Sequence, residues 1–208
     1  RLLILPIEIT ELQARNLEAA RNKYVVTDQD LNPNMRFVEN EFVKALEADP
    51  QIHEVLEQGK LSWIANNPLL LNTLLKEVTQ SQEYRNYMEA SATDFAGDCE
   101  FWRRMLKYIL LPSEELAEAM EDKSVFWNDD IDIIGTFVLK TVRRFAEHDP
   151  EPVLPMYKDS EDAHFGRDLF IAAVKGKEEY RAMVDSVLNK DSWDTDRLAF
   201  MDVVICIT

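Results

Sequence analysis

The period at which apolar residues recur constrains this chain more than any other feature. Phe101, Trp102, Met105, Leu106, Ile109 and Leu110 return at spacings of three and four and cover an arc too wide for a surface helix. That stretch predicts a helix at the centre of a core. The same period runs through Leu2, Leu5, Ile9 and Leu12, through Phe37, Phe42, Val43 and Leu46, and through Ile131, Ile134, Val138, Val142 and Phe145. Nothing alternates with period two for long enough to make a strand. The chain has 5 glycines, which argues against turn-rich β architectures and glycine-rich phosphate cradles. The expectation is an all-α fold, a compact multi-helix bundle.

Punctuation divides the helices. The first is expected to run to about Tyr24, followed by a polar loop over Val25 to Asn34. Gly59 is a plausible stop for a short helix after Asp49-Pro50. Asn67-Pro68 reads as a capping side chain followed by a first-turn proline. Asn128-Asp129-Asp130 reads as the cap and acidic first turn of a long helix. The three prolines between Asp149 and Asp159 mark a loop. After it, Ser160 opens a helix that Gly176 is expected to end. Tyr180, Met183, Val184 and Val187 then form an antiparallel partner. Asp194-Thr195 is expected to cap a last helix with Leu198, Met201 and Ile205 inward. A boundary is expected near residues 90–93, giving an N-terminal helical segment over 1–92 and a second helical domain over 93–208.

The chain's 208 residues carry 23 Lys+Arg against 39 Asp+Glu, a formal net charge of -16. Such an excess of acid excludes a nucleic-acid footprint over the whole surface, so any such role must rest on a local basic patch. No segment approaches the roughly 20 apolar residues of a membrane span, and a cytoplasmic location is expected. Cys99 and Cys206 are far apart and in no Cys-x-x-Cys, which predicts a reducing compartment and no zinc knuckle. Arg1 at the start, with no Met before it, and an apolar run cut at Thr208 suggest a fragment trimmed on both sides, its second domain truncated at the C-terminal end.

Little in the sequence proposes catalysis. A carboxylate-bridged di-metal site needs two Glu-x-x-His pairs, and only Glu161 and His164 form one, at a helix start where acids belong anyway. Asp129, Asp130 and Asp132 read as a helix beginning rather than a cation cluster. His53 and His148 have no partner at ligand spacing. No enzyme activity, metal or cofactor is expected. Two basic clusters stand out instead: Arg103, Arg104 and Lys107 on one helix, and Lys140, Arg143 and Arg144 on another, each at spacings of three and four. They are the candidate phosphate contacts, the alternative being solvated faces paired with the abundant acids.

Several runs resemble one family. Ser124-Val125-Phe126-Trp127-Asn128-Asp129-Asp130, Lys140-Thr141, Phe165-Gly166-Arg167-Asp168-Leu169-Phe170 and Trp193-Asp194-Thr195-Asp196-Arg197-Leu198-Ala199-Phe200-Met201-Asp202 are similar to the bacterial transcription antitermination factor NusB. The likeness is to its long form, which carries an extra N-terminal helical segment. Asp30-Leu31-Asn32-Pro33-Asn34, Arg36-Phe37-Val38 and Leu61-Ser62-Trp63 resemble that segment. The resemblance implies a NusB-like all-α fold without catalysis and binding to boxA-type RNA. It also implies pairing with NusE, a small-subunit ribosomal protein, and through it an indirect link to the RNA polymerase complex; neither membrane nor DNA is implied as a partner. It places the protein-partner contact at the acidic joint of Asp191, Asp194 and Asp196, with Arg197 beside it. The second reading is an all-helical adaptor that binds protein partners only.

Overall fold

A computed structural model describes residues 1–58, 61–188 and 198–207, and every described element is helical, with no strand among them. The helices are α1 (Ile4–Arg21), α2 (Asp28–Leu31), α3 (Glu41–Ala48), α4 (Pro50–Glu57), α5 (Trp63–Asn66), α6 (Pro68–Gln80) and α7 (Gln82–Glu89). They continue with α8 (Phe95–Met105), a π-helical turn (Leu106–Leu110), α9 (Glu114–Glu121), α10 (Trp127–Ala146), α11 (Ser160–Val187) and α12 (Phe200–Ile207). No described helix is long and apolar enough to cross a membrane. The chain divides into two compact units, Arg1–Leu154 and Pro155–Thr208.

In the first unit, short polar side chains set where helices begin. Asn40, Ser62, Ser81, Asp94 and Ser113 each accept a hydrogen bond from a first-turn backbone N–H of the helix that follows, and Asp49 accepts two. Thr27 and Asp30 form a reciprocal capping box, so the stretch expected to be a loop nucleates the one-turn α2. Pro68 does sit at the start of α6, but the Asn67 side chain makes no capping bond. α10 also differs from expectation. Backbone bonds from Trp127, Asn128 and Asp129 to Ser124, Val125 and Phe126 carry the chain into the helix already wound, so Asn128 lies inside the first turn rather than capping it. Gly59 lies outside the described residues.

The core of this unit ignores the expected division at residue 92. Phe37 packs its ring against Tyr84, Phe101 and Trp102, with centroids 5.2, 5.9 and 5.5 Å away. Phe42 meets Phe145 edge-on at 5.5 Å. Aromatic pairs at such separations add to the area they bury, and here they tie residues before and after 92 into one apolar cluster. The compact division falls between Leu154 and Pro155 instead. Phe101, Trp102, Met105, Leu106 and Leu110 are all buried, as their spacing predicts.

α10 ends in a left-handed turn. His148 has φ 56°, Asp149 N–H donates to Arg144 O and His148 N–H to Phe145 O, both at 3.0 Å. That is a Schellman closure with histidine where glycine is usual. Stacking of His148 on Phe95, centroids 5.2 Å apart, holds it there.

In the second unit α11 runs unbroken for 28 residues, about 42 Å. The expected break at Gly176 and the antiparallel partner after it are absent. The Tyr180 ring lies over Gly176 so closely that a Cβ there would sit 2.4 Å from it, which makes Gly176 the floor of an i,i+4 contact rather than a terminator. α12 packs on α11 through Val203, which is buried, whereas Met201 and Ile205 face outward, contrary to the inward stripe expected. Asp194-Thr195 lies outside the described residues.

Candidate nucleic-acid interface

α8 and the π-helical turn lie along α10, and the approach is close where Gly135 faces Leu111; a Cβ at Gly135 would meet Leu111 Cδ1 at 3.0 Å. Beside this contact the two helices leave two depressions. One, of about 490 Å³, is lined by Cys99, Glu100 and Arg103 from α8 and by Lys140 and Arg143 from α10. The other, of about 280 Å³, is lined by Lys107 and Asp132 among others. Thr136 and Leu139 border both, so the depressions form one furrow with cations on both walls.

The six candidate cations therefore separate into two groups. Arg103, Lys107, Lys140 and Arg143 reach the furrow. Arg104 turns instead to α7 and pairs with Glu83 at 2.6 Å. Arg144 pairs with Asp149 at 2.9 Å and donates to Glu151 O at 2.7 Å, holding the turn after α10. Helical spacing groups Arg103 with Arg104 and Arg143 with Arg144, but neighbours in sequence point about 100° apart, and the packed helices decide which of each pair faces the seam.

Inside the furrow, Arg103 makes a two-pronged bond to Glu100, at 2.6 and 2.7 Å. That bond, with the positive charge of Arg103, Arg104 and Lys107, holds the Glu100 carboxyl below its usual range, and the same bond holds the Arg103 guanidinium above its own. Arg143 pairs with Glu147 at 2.8 Å. The Arg143–Glu147 pair is single and solvent-exposed, and such pairs contribute little, so a phosphate can take that carboxylate's place at low cost, whereas the two-pronged Arg103–Glu100 pair is the firmer of the two. Lys107 and Lys140 make no ion pair among the described residues; their ammonium groups sit over the rings of Tyr108 and Phe137, at 5.0 and 5.5 Å. The two aromatics were not among the candidate residues, although an aromatic one residue after Lys107 and another three before Lys140 is a readable signal.

Among the described residues no group of three or more His, Cys, Asp or Glu side chains converges as a metal site would require. The second unit holds an apolar groove of about 740 Å³ between α11 and α12, walled by Leu169, Phe170, Val174, Val203 and Ile207 with Lys177 at its border. Asp191, Asp194, Asp196 and Arg197, the candidate protein-partner residues, lie outside the described residues. Compared with family models, curated proteins and solved structures, the chain finds no match.

Proposed function

We propose that this chain is a non-enzymatic RNA- and protein-binding factor of the NusB kind, acting in transcription antitermination or termination in the cytoplasm. It binds boxA-type RNA together with a NusE-type ribosomal protein and reaches RNA polymerase through that partner. The observation that carries the RNA part is the convergence of Arg103, Lys107, Lys140 and Arg143 on one furrow in a chain whose formal net charge is -16. Four cations gathered from α8, the π-helical turn and α10, against the acids Glu100, Asp132 and Glu147, leave a locally net-positive furrow, the feature that an acidic protein needs to hold a phosphate backbone. The family assignment rests on the Trp-Asp-x-Asp-Arg stretch and the other runs named above.

The test is a binding comparison at a stated salt concentration, because phosphate contacts weaken steeply with salt. With the NusE-type protein present, boxA RNA is expected to bind more tightly than a scrambled oligonucleotide of the same composition. Equal binding of the two would refute the proposal. The apolar groove between α11 and α12 favours a second reading, an adaptor that binds protein alone. Cross-linking that recovers protein partners and no RNA would select it.

A further inference from the structure

We infer that the apolar groove between α11 and α12 is filled by the α11 of a second copy of this chain, running antiparallel about a two-fold axis that passes between Ile171 and Ala172. The inference stands apart from the RNA-binding reading above and assigns the groove to self-association.

The second unit buries little on its own. None of the 28 residues of α11 is buried, and in α12 only Val203 is. Phe170, Val174 and Phe200 stand 68%, 60% and 79% exposed at the groove. A pair of helices leaves such faces to water unless further helices cover them, and a bundle of four is a common solution.

The face of α11 that walls the groove shows what covers it, because reversed end for end it complements itself. About the axis, Phe170 comes level with Ala173 of the second copy and Leu169 with its Val174, the larger side chain against the smaller each time. Gly166 comes level with Lys177. Asp162, one turn before Gly166 on the same face, comes level with Arg181, acid against base. Each match occurs twice, as a two-fold contact requires. Helices packed at the shallow crossing angle of coiled coils, roughly 20°, interlock in such layers.

Gly166 gives an independent sign. A glycine inside a helix costs stability, and the other described helical glycines each have a neighbour over them: Asp94 at Gly97, Leu111 at Gly135 and Tyr180 at Gly176. A Cβ at Gly166 would meet nothing within 4 Å. The bare backbone there leaves room for the long stem of Lys177 from the second copy.

Sedimentation equilibrium of the intact chain at micromolar concentrations is expected to give twice the mass of one chain. Gly166→Gln puts a better helix former where the single chain has free space, so it keeps the fold and obstructs only the second copy. Gly166→Gln and Phe170→Ala are each expected to raise the dissociation constant of the dimer by at least about tenfold, since each change acts at both halves of the contact. Arg181→Glu and Asp162→Lys chains are each expected to be monomeric alone and to pair when mixed, which restores acid against base at both ends. Circular dichroism checks that the variants stay folded. A parent that remains monomeric over the whole range overturns the inference and returns the groove to the protein-only adaptor reading. A dimer indifferent to both Gly166→Gln and Phe170→Ala, or charge variants that stay apart on mixing, also overturns it. None of these outcomes bears on whether boxA RNA outbinds its scramble.

Discussion

Tyr87 donates its hydroxyl proton to Asp98 at 2.8 Å, joining α7 to the first turn of α8. Asp98 also accepts from the Thr93 hydroxyl and from the backbone N–H of Glu41 at 2.7 Å, while Asn40 donates to the Tyr87 oxygen at 2.9 Å. Asp98 is 5% exposed and Asn40 1%. A buried carboxylate with three donors is well satisfied; taking it away leaves the Glu41 N–H without its acceptor and the Tyr87 and Thr93 hydroxyls with only long bonds to backbone carbonyls. Asp98→Ala is expected to lower stability by about 2–3 kcal/mol, read as a lower urea midpoint with an unchanged slope. A change below half of that would mean that water replaces the carboxylate.

The same corner makes stability fall at alkaline pH. Burial, and then the hydrogen bond to Asp98, raises the ionisation of Tyr87 well above the usual phenol range. Burial pushes the Cys99 thiol up to about 12. Both groups are held neutral in the folded chain, so their contribution is complete below the pKa values of the unfolded chain, about 8.5 for Cys and about 10 for Tyr. It is lost as pH rises through the raised values. Urea midpoints are expected to drop between about pH 9 and pH 12, and the drop is expected to be shallower in Tyr87→Phe and Cys99→Ala. Equal slopes in parent and variants would place the alkaline loss elsewhere.

The two thiols differ in reach. Cys99 is 1% exposed and Cys206 is exposed. Since the thiolate is the reacting species, iodoacetamide near neutral pH is expected to add one label to the folded chain, on Cys206, and a second only after unfolding. Early labelling of Cys99, located by peptide mass, would show that the α8–α10 furrow opens.

Glu8 carries α5. Buried to 4% exposure, its carboxylate accepts from the backbone N–H groups of Trp63 and Ile64, caging the start of a helix of 4 residues. Glu8→Ala strands both donors in the core and is expected to cost about 2–3 kcal/mol, seen as a lowered Tm. Glu8→Gln keeps an acceptor and is expected to recover part of the loss. An alanine variant as stable as the parent would show the cage to be dispensable.

Salt separates the furrow cations from their neighbours. Removing Lys107 or Lys140 is expected to reduce the slope of log affinity against log salt for single-stranded RNA by about 0.7 each. Arg104→Ala is expected to leave that slope unchanged, since its guanidinium is turned to Glu83. Arg144→Ala is expected to leave it unchanged too, at some cost in stability from the loosened turn at Asp149. An altered slope in either arginine variant would contradict the sorting of these side chains.

Much of the architecture was legible because helical period and caps are local. The stripe from Phe101 to Leu110 and the long helix through Val138 and Val142 are where their spacing puts them. Errors arose where a distant or later side chain decides. Gly176 reads as a stop until the ring of Tyr180 is laid over it, and the division at 92 dissolves once Phe37 meets Phe101 and Trp102. The cations of the candidate interface were visible as clusters. Which of them converge was not, because Arg103 and Arg104 differ only by the face that α10 happens to cover.

The wide turn at Leu106–Leu110 holds one residue more than regular winding needs. A chain shortened there by one position would relax to ordinary α geometry while Leu106 and Leu110 keep their phase with what precedes and follows them. Deleting Tyr108 would thus strip a ring from the surface and leave the bundle beneath it intact. The exposed ring of Tyr108 is carried as a surplus link, open to gain or loss without disturbing the fold that displays it.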